Sequence, residues 1–433
     1  MRKIIHRSIK SDNQYKEKLL TWSQQFFEVV WLDSNNYQQQ YSNYDAVLAV
    51  DAFTSIQTDY YDAFEQLKVY QSATKDWLFG YLSYDLKNDV EKLSSSNFDG
   101  LQFPELFFFQ PKKLFLLKGN KLEIQYLNLV SDEIETDLMH IESTVVSTEI
   151  AKPTEDDAVK IKLRIHKDEY FNKINTVLNH IQRGDIYEAN FCQEFYAENT
   201  SIKPIEIYRN LNRISKPPFA TFLKLYDKYL LSASPERYLK KEGCMITSQP
   251  IKGTAKRSSD KAKDDLLKKA LSEDVKERSE NVMIVDLVRN DLSKTATKGS
   301  VKVKELCKVY SFDQVHQMIS TVTSDIKDEV HPVDVIKTTF PMGSMTGAPK
   351  ISAMNIIEEL EETKRGLYSG AVGYFTPNDD FDFNVVIRSI LYNESQNYVS
   401  YSVGGAITAK SVPLKEYEEC LLKAKAMREV LER

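Results

Sequence analysis

"HKDEYFNKINTVLNHIQRGDIYEANFCQEF", residues 166–195, decides the fold. Its first half places Tyr170, Ile174, Val177, Leu178 and Ile181 at helical spacing. At Gly184-Asp185 the period changes and a strand-like run follows. An amphipathic helix handing over to a buried strand is a unit of an α/β protein. The same alternation continues through short strands at 220–226 ("ATFLKLY"), 229–239 ("YLLSASPERYL"), 370–375 ("GAVGYF"), 383–392 ("FNVVIRSILY") and 398–408 ("YVSYSVGGAIT"). The chain carries no repeat of fixed period and no low-complexity segment.

Upstream of that stretch, the chain to about residue 130 mixes apolar runs such as "YDAVLAV" and "WLFGYLSYDL" with the aromatic "FPELFFFQP", a content that suits buried strands. From Ser131 to Lys160 the sequence turns polar and acidic, reading as a helix and then a linker around Pro153. Residues 1–150 are therefore expected to add strands to a common body, and residues 160–433 to carry the chemistry.

At 433 residues the chain exceeds one ordinary core, so two lobes or one large elaborated α/β domain are expected. The 42% hydrophobic and 28% charged residues are the balance of a soluble globular protein. A net charge of -6, with Lys and Arg dispersed, gives no footing for nucleic acid. The basic N-terminus reaches no apolar run of the length that a signal peptide or membrane span requires, which reads as a cytoplasmic protein. Four separated cysteines, Cys192, Cys244, Cys307 and Cys420, indicate neither a zinc site nor a disulfide framework.

Two segments offer paired carboxylates. In "KERSENVMIVDLVRNDLSK" Glu277 and Glu280 stand three apart, and in "PLKEYEECLLKAKAMREVLER" Glu416, Glu419 and Lys423 follow i, i+3, i+7 spacing, so each set shares a helix face. Two such faces would hold one Mg²⁺, which takes one or two protein carboxylates and leaves its other positions to water and an oxygen-rich substrate; solvated surface faces are the plain alternative. "FPMGSMTGAPK" has a loop with Gly343, Thr346 and Gly347, and Pro349 where a first helical position tolerates it. Backbone N–H groups at such a start receive anions, and the Gly404-Gly405-Ala406 turn lets backbone approach a ligand; ordinary turn duty is the alternative for both. His316 lies in an apolar strand context, as a core group or a site group. Arg388, between apolar strand residues, needs a partner, either a structural carboxylate or that of a substrate. Tyr368 adds a phenol donor or packs.

Taken in order, "GDIYEANFCQEF" (184–195), "SASPERYL" (232–239), "PIKGTAKR" (250–257), "ENVMIVDLVRNDLSKTATKGSVKV" (280–303), "HQMISTV" (316–322), "FPMGSMTGAPK" (340–350), "YSGAVGYF" (368–375), "VIRSI" (386–390), "GGAIT" (404–408) and "EYEECLLKAKAM" (416–427) resemble the chorismate-utilising enzymes. The resemblance runs from about residue 165 to the end. It implies two large, mainly antiparallel sheets packed face to face as a sandwich, with helices outside. It implies that Glu280 and Glu419 ligate Mg²⁺, with Glu277 and Glu416 as secondary ligands or orienters of metal-bound water. Arg388, Tyr368, Gly404, Gly405 and Ala406 would take the enolpyruvyl carboxylate of chorismate, with Lys423 beside them. Thr346 and Gly347 would line the ring side, and His316 would sit near the leaving group.

Lys252 refines what the resemblance implies. Members that make anthranilate usually have a small apolar residue before the Gly-Thr of "PIKGT", whereas those that make aminodeoxychorismate have lysine. Lys252 would then add at C2 of chorismate, helped by a neighbouring cation and desolvation that both lower its pKa, with Glu236 as general acid and base and ammonia entering at C4. The product is a precursor of para-aminobenzoate and folate. No glutamine amidotransferase pattern occurs, so ammonia is expected from a separate glutaminase subunit or from solution. Anthranilate formation, isochorismate or salicylate formation, and a non-catalytic chorismate-binding subunit are the competing readings. A Leu-Leu-Glu-Ser segment for tryptophan is missing where the chain reads "YDAVLAVDAF".

Overall fold

The structure is a computed structural model that describes residues 1–9, 12–37, 43–146 and 159–432. The acidic segment does form a helix, Ile134–Ser143, and the linker expected at Pro153 lies outside the described residues.

Among the described residues every pairing between named strands is antiparallel, and the strands form two arms that leave a common pair. Long strands Ala46–Thr58 and Leu106–Lys118 pair with each other along nearly their whole length. One arm runs from them through Glu28–Asp33, Phe219–Leu225, Lys228–Ser234, Ser389–Asn393 and Tyr398–Thr408 to Glu188–Ala197. The other runs through Leu78–Leu82, Ala371–Phe375, Phe381–Val385, Arg237–Glu242 and Met245–Gln249 to Val315–Asp325, which also pairs with Ile251–Lys256. The two sheets of the sandwich are thus one hydrogen-bonded network. Its bend falls where the register of the common pair shifts between Ala52 and Thr54, beside Asp51 at φ +62° and opposite Pro111. A bulge there increases local twist and turns the strands from one arm into the other.

Side-chain alternation builds the layers. Val47, Ala49, Leu114 and Leu116 face a core shared with Val30, Leu223 and Leu391 of one arm and Phe79, Leu239 and Phe383 of the other. Leu48, Val50, Phe115 and Leu117 face the opposite way, onto Leu19, Ile141, Tyr208 and Met427 of the outer helices. The first core is the sandwich filling and the second fixes helices to its outside.

Two of the expected strands are broken. Residues 229–239 divide at Pro235, which has no N–H for a ladder, giving Lys228–Ser234 and Arg237–Glu242. Residues 383–392 divide into Phe381–Val385 and Ser389–Asn393, with Arg388 at φ +54° between them. Glu236 and Arg388 therefore stand at breaks, where side chains are re-aimed, rather than inside ladders.

Candidate active site

Both breaks open on a cavity of about 550 Å³, within the range of small-molecule sites. Helices Val275–Ser293 and Pro413–Leu431 flank it, and the strands Ile251–Lys256, Glu188–Ala197 and Tyr398–Thr408 supply its walls.

The two helices bring their carboxylates to the same mouth: Glu277 and Glu280 from one, Glu416 and Glu419 from the other. Lys276 Nζ stands between them, 3.7 Å from Glu280 Oε1 and 3.9 Å from Glu416 Oε1. Burial pushes the Glu280 carboxyl up to about 7 against the pull of Lys252 and Lys276, and its Oε1 accepts no hydrogen bond. Burial also raises Glu277. It opposes ionisation of Glu419 too, but there the Lys423 ammonium, 2.7 Å away, prevails and the carboxyl is lowered. A buried carboxylate oxygen with no hydrogen bond from the described residues, in a cluster already bridged by one ammonium, is a donor set that fits a hard divalent cation. Among the described residues no group of three or more His, Cys, Asp or Glu side chains is arranged to hold a metal ion by itself.

Lys252 enters from a bulge. Its strand is out of simple register with Val315–Asp325 between Ile251 and Thr254, and Gly253 at φ +92° makes the kink. A Cβ on Gly253 would lie 3.1 Å from Glu277 Oε2, so backbone passes directly beneath that carboxylate. Lys252 Nζ donates to Glu188 Oε1 at 3.1 Å. Desolvation pulls its pKa down, yet Glu188, Glu280 and Glu236 outweigh it and the net shift is upward. The expected lowering is thus reversed in the protein alone, because three carboxylates surround the ammonium. Glu236, nearly fully buried, is pushed up to about 7 by burial, against a hydrogen bond from Ser344 and the charge of Lys252.

At the far end Arg388 donates one hydrogen bond, to the Lys423 carbonyl at 3.3 Å, and burial lowers its pKa. Tyr368, Gly404, Gly405 and Ala406 line the cavity with it, and Lys423 Nζ donates to the Gly404 carbonyl at 2.8 Å. A half-buried guanidinium with most of its donors free, beside a phenol, suits a carboxylate.

Three expected residues are not brought to the cavity. His316 lies between Val315 and Gln317, which do line it, so strand alternation turns its ring to the other face. There it meets Ser311 Oγ at 2.9 Å and Asp264 at 3.1 Å, and Arg257 also holds Asp264. Thr346 is fully buried, bonded to the carbonyls of Met342 and Gly343, and Gly347 packs so closely that a Cβ would lie 2.2 Å from the Glu188 carbonyl. Both brace the wall whose lining residues are their neighbours Ser344 and Met345.

The structure adds Glu188, Asn190, Lys276, Gln317 and Ser344 to the site. Glu188 and Asn190 could have been found as polar residues at alternate positions flanking Ala189, at the start of a strand whose further polar residues, Gln193 and Glu194, blur the signal. Behind them, Arg365 donates to the carbonyls of Met345 and Asn190, both at 2.7 Å, and to both oxygens of Glu361, whose Oε1 also accepts from the Cys192 N–H at 2.8 Å. This ion pair ties the wall at residues 188–197 to the loop at 343–345.

The model of the chorismate binding enzyme family matches residues 27–429. The aminodeoxychorismate synthase component 1 of Bacillus subtilis (strain 168) is 32% identical over 364 residues, covering 82% of this chain and 76% of that protein. The anthranilate synthase component 1 of the same organism is also 32% identical, over 370 residues, covering 80% and 71%. Among solved structures, anthranilate synthase component I from Streptococcus pneumoniae TIGR4 superposes with a TM-score of 0.78 at 24% identity, over 90% of this chain and 93% of that one.

Proposed function

The chain belongs to the chorismate binding enzyme family, and on that footing we propose that it converts chorismate and ammonia to 4-amino-4-deoxychorismate. The observation that carries this reading is Lys252, held in the cavity by Glu188 at 3.1 Å beside a Glu236 whose pKa of about 7 suits proton transfer in both directions. In the proposed sequence the Lys252 ammonium first releases a proton to solvent, and its free amine Nζ forms a bond to C2 while the C4–O bond breaks, Glu236 delivering the proton with which the hydroxyl leaves as water. Ammonia then bonds to C4 as the C2–N bond breaks, and the electron pair returns to Lys252. Glu236 recovers a proton from the entering nitrogen. Arg388 and Tyr368 hold a substrate carboxylate throughout, which fixes the ring against the lysine.

Glu280 and Glu419 would hold Mg²⁺, with Glu277 and Glu416 beside them. When bound, the ion supplies positive charge that grips the ring carboxylate and offsets the carboxylates that keep Lys252 protonated. Ammonia would come from a glutaminase subunit or from solution. Among the described residues no helix is long and apolar enough to cross a membrane, and a cytoplasmic setting is part of this proposal.

Incubation with chorismate, Mg²⁺ and ammonium at alkaline pH, with the product identified by mass and chromatography, tests the reading. Aminodeoxychorismate is expected. Anthranilate, isochorismate or salicylate would replace the reading with one of its rivals, and unconverted chorismate that nevertheless binds would make the chain a binding subunit. Glutamine is expected to support the reaction only when a glutaminase chain is added.

A further inference from the structure

A second cavity, of about 240 Å³, abuts the first. The two share Pro235, Thr254, Val315, Gln317, Arg388 and Lys423, so these residues form a common wall. That wall coincides with the bulge before Thr254, where the ladder between Ile251–Lys256 and Val315–Asp325 is interrupted. Beyond it the lining is mostly apolar: Leu211, Ile214, Pro217, Ala233, Phe312 and Met427. At its outer end the exposed Lys216 and Asp313 pair at 3.1 Å, linking the end of helix Pro204–Ser215 to the loop before Val315–Asp325.

We infer that this chamber is the entry path of the second reactant, uncharged ammonia, which reaches bound chorismate between Thr254, Gln317, Arg388 and Lys423. The inference rests on the amination reading above. The carboxylate mouth is unsuited to admitting it, because Glu277, Glu280, Glu416 and Glu419 attract ammonium and hold it as a cation, and chorismate with its counter-ion fills that side. The chamber selects the opposite way. Its apolar walls strip water from an ammonium ion and carry no carboxylate among the described residues, the Asp313 at the outer end being engaged by Lys216, and the guanidinium of Arg388 at the inner wall adds positive charge. Neutral ammonia meets neither barrier, and the hydroxyl and amide groups of Thr254 and Gln317 offer it hydrogen bonds at the neck.

Plugging the chamber from two separate elements tests this. Ala426 and Ser215 line it, are only partly buried and touch none of the reacting groups. Steady-state amination is measured for wild type, Ala426→Phe and Ser215→Phe with ammonium varied at saturating chorismate and Mg²⁺, together with the chorismate dissociation constant and the melting temperature. The expected result is a KM for ammonia raised about tenfold in each variant, with chorismate affinity unchanged. Folded variants with an unaltered ammonia KM, or with chorismate affinity weakened in the same proportion, would overturn the path while leaving the amination reading intact. A wild-type chain that turns over chorismate without incorporating nitrogen would remove the reading and the path together. Because the plugs sit on different helices, failure of one to fold leaves the other decisive.

Discussion

Two arginines on either side of one wall show how this protein divides its labour. Arg365 is nearly fully buried and has its donors engaged: two carbonyls and both oxygens of Glu361, with its guanidinium 4.4 Å from the Tyr84 ring centroid. Arg388, on the cavity side, makes one hydrogen bond at 3.3 Å. The same contrast holds for the carboxylates, since Glu361 is fully paired whereas Glu188 and Glu280 each keep a buried oxygen without a hydrogen-bond partner. The wall is over-determined so that the groups facing the cavity can be left short of partners, and that deficit is what a substrate and a cation would fill.

Breaking the paired side has the largest expected effect. Arg365→Met leaves Glu361 buried without its cation and is expected to cost about 3–5 kcal/mol in denaturant unfolding. Adding Glu361→Leu should recover much of that loss, and a single variant as stable as wild type would show that the pair does not hold the wall. On the unpaired side, Lys252→Ala should lose about 10³-fold in aminodeoxychorismate formation while chorismate still binds, with a low level of C2-substituted product appearing. Undiminished aminodeoxychorismate from that variant would remove Lys252 as the nucleophile. Glu280→Gln and Glu419→Gln should abolish turnover with the fold intact, read as activity against Mg²⁺ concentration alongside circular dichroism.

The pH dependence sharpens the comparison further. Glu236 has a folded pKa raised from 4.5 to about 7, so between those values the folded chain holds a proton that the unfolded chain has released. Its contribution therefore favours folding less and less as pH rises from 4.5 to 7, and is constant above. Glu236→Gln should remove that decline, on the order of 3 kcal/mol, seen as a stability difference from wild type that grows across this window. A difference flat with pH would place the proton elsewhere. Smallest is Arg388→Lys, expected to raise the chorismate KM about tenfold by replacing a planar fork with a point charge, at unchanged stability. A marked loss of stability would make Arg388 a structural group instead.

Much of this was legible in the chain, for identifiable reasons. Glu277 with Glu280, and Glu416 with Glu419, announce themselves because three-residue spacing fixes a shared helix face whatever surrounds it. His316 misleads because the phase of a strand is not written in an apolar run: a shift of one residue exchanges His316 for Gln317 at the cavity. Arg388 reads as a strand residue because nothing local announces its left-handed backbone, which tertiary packing imposes. The upward shift of Lys252 was out of reach for another reason, since it depends on Glu188, Glu236 and Glu280, which only the fold assembles.

The common strand pair also bears on how the chain is made. Strand Glu28–Asp33 finds its outer neighbour only at Phe219–Leu225, and Leu78–Leu82 finds its own at Ala371–Phe375, about 290 residues later. At ordinary rates of synthesis the second interval is roughly 15–60 s. Throughout it the nascent chain carries open strand edges and aromatic rings at Phe79 and Phe108 whose ring partners Tyr374, Phe375 and Phe383 do not yet exist. Such edges recruit other chains. The cell's holding chaperones, rather than the N-terminal half's own stability, would guard this interval, and slowing elongation after residue 118 is expected to increase aggregation rather than help folding.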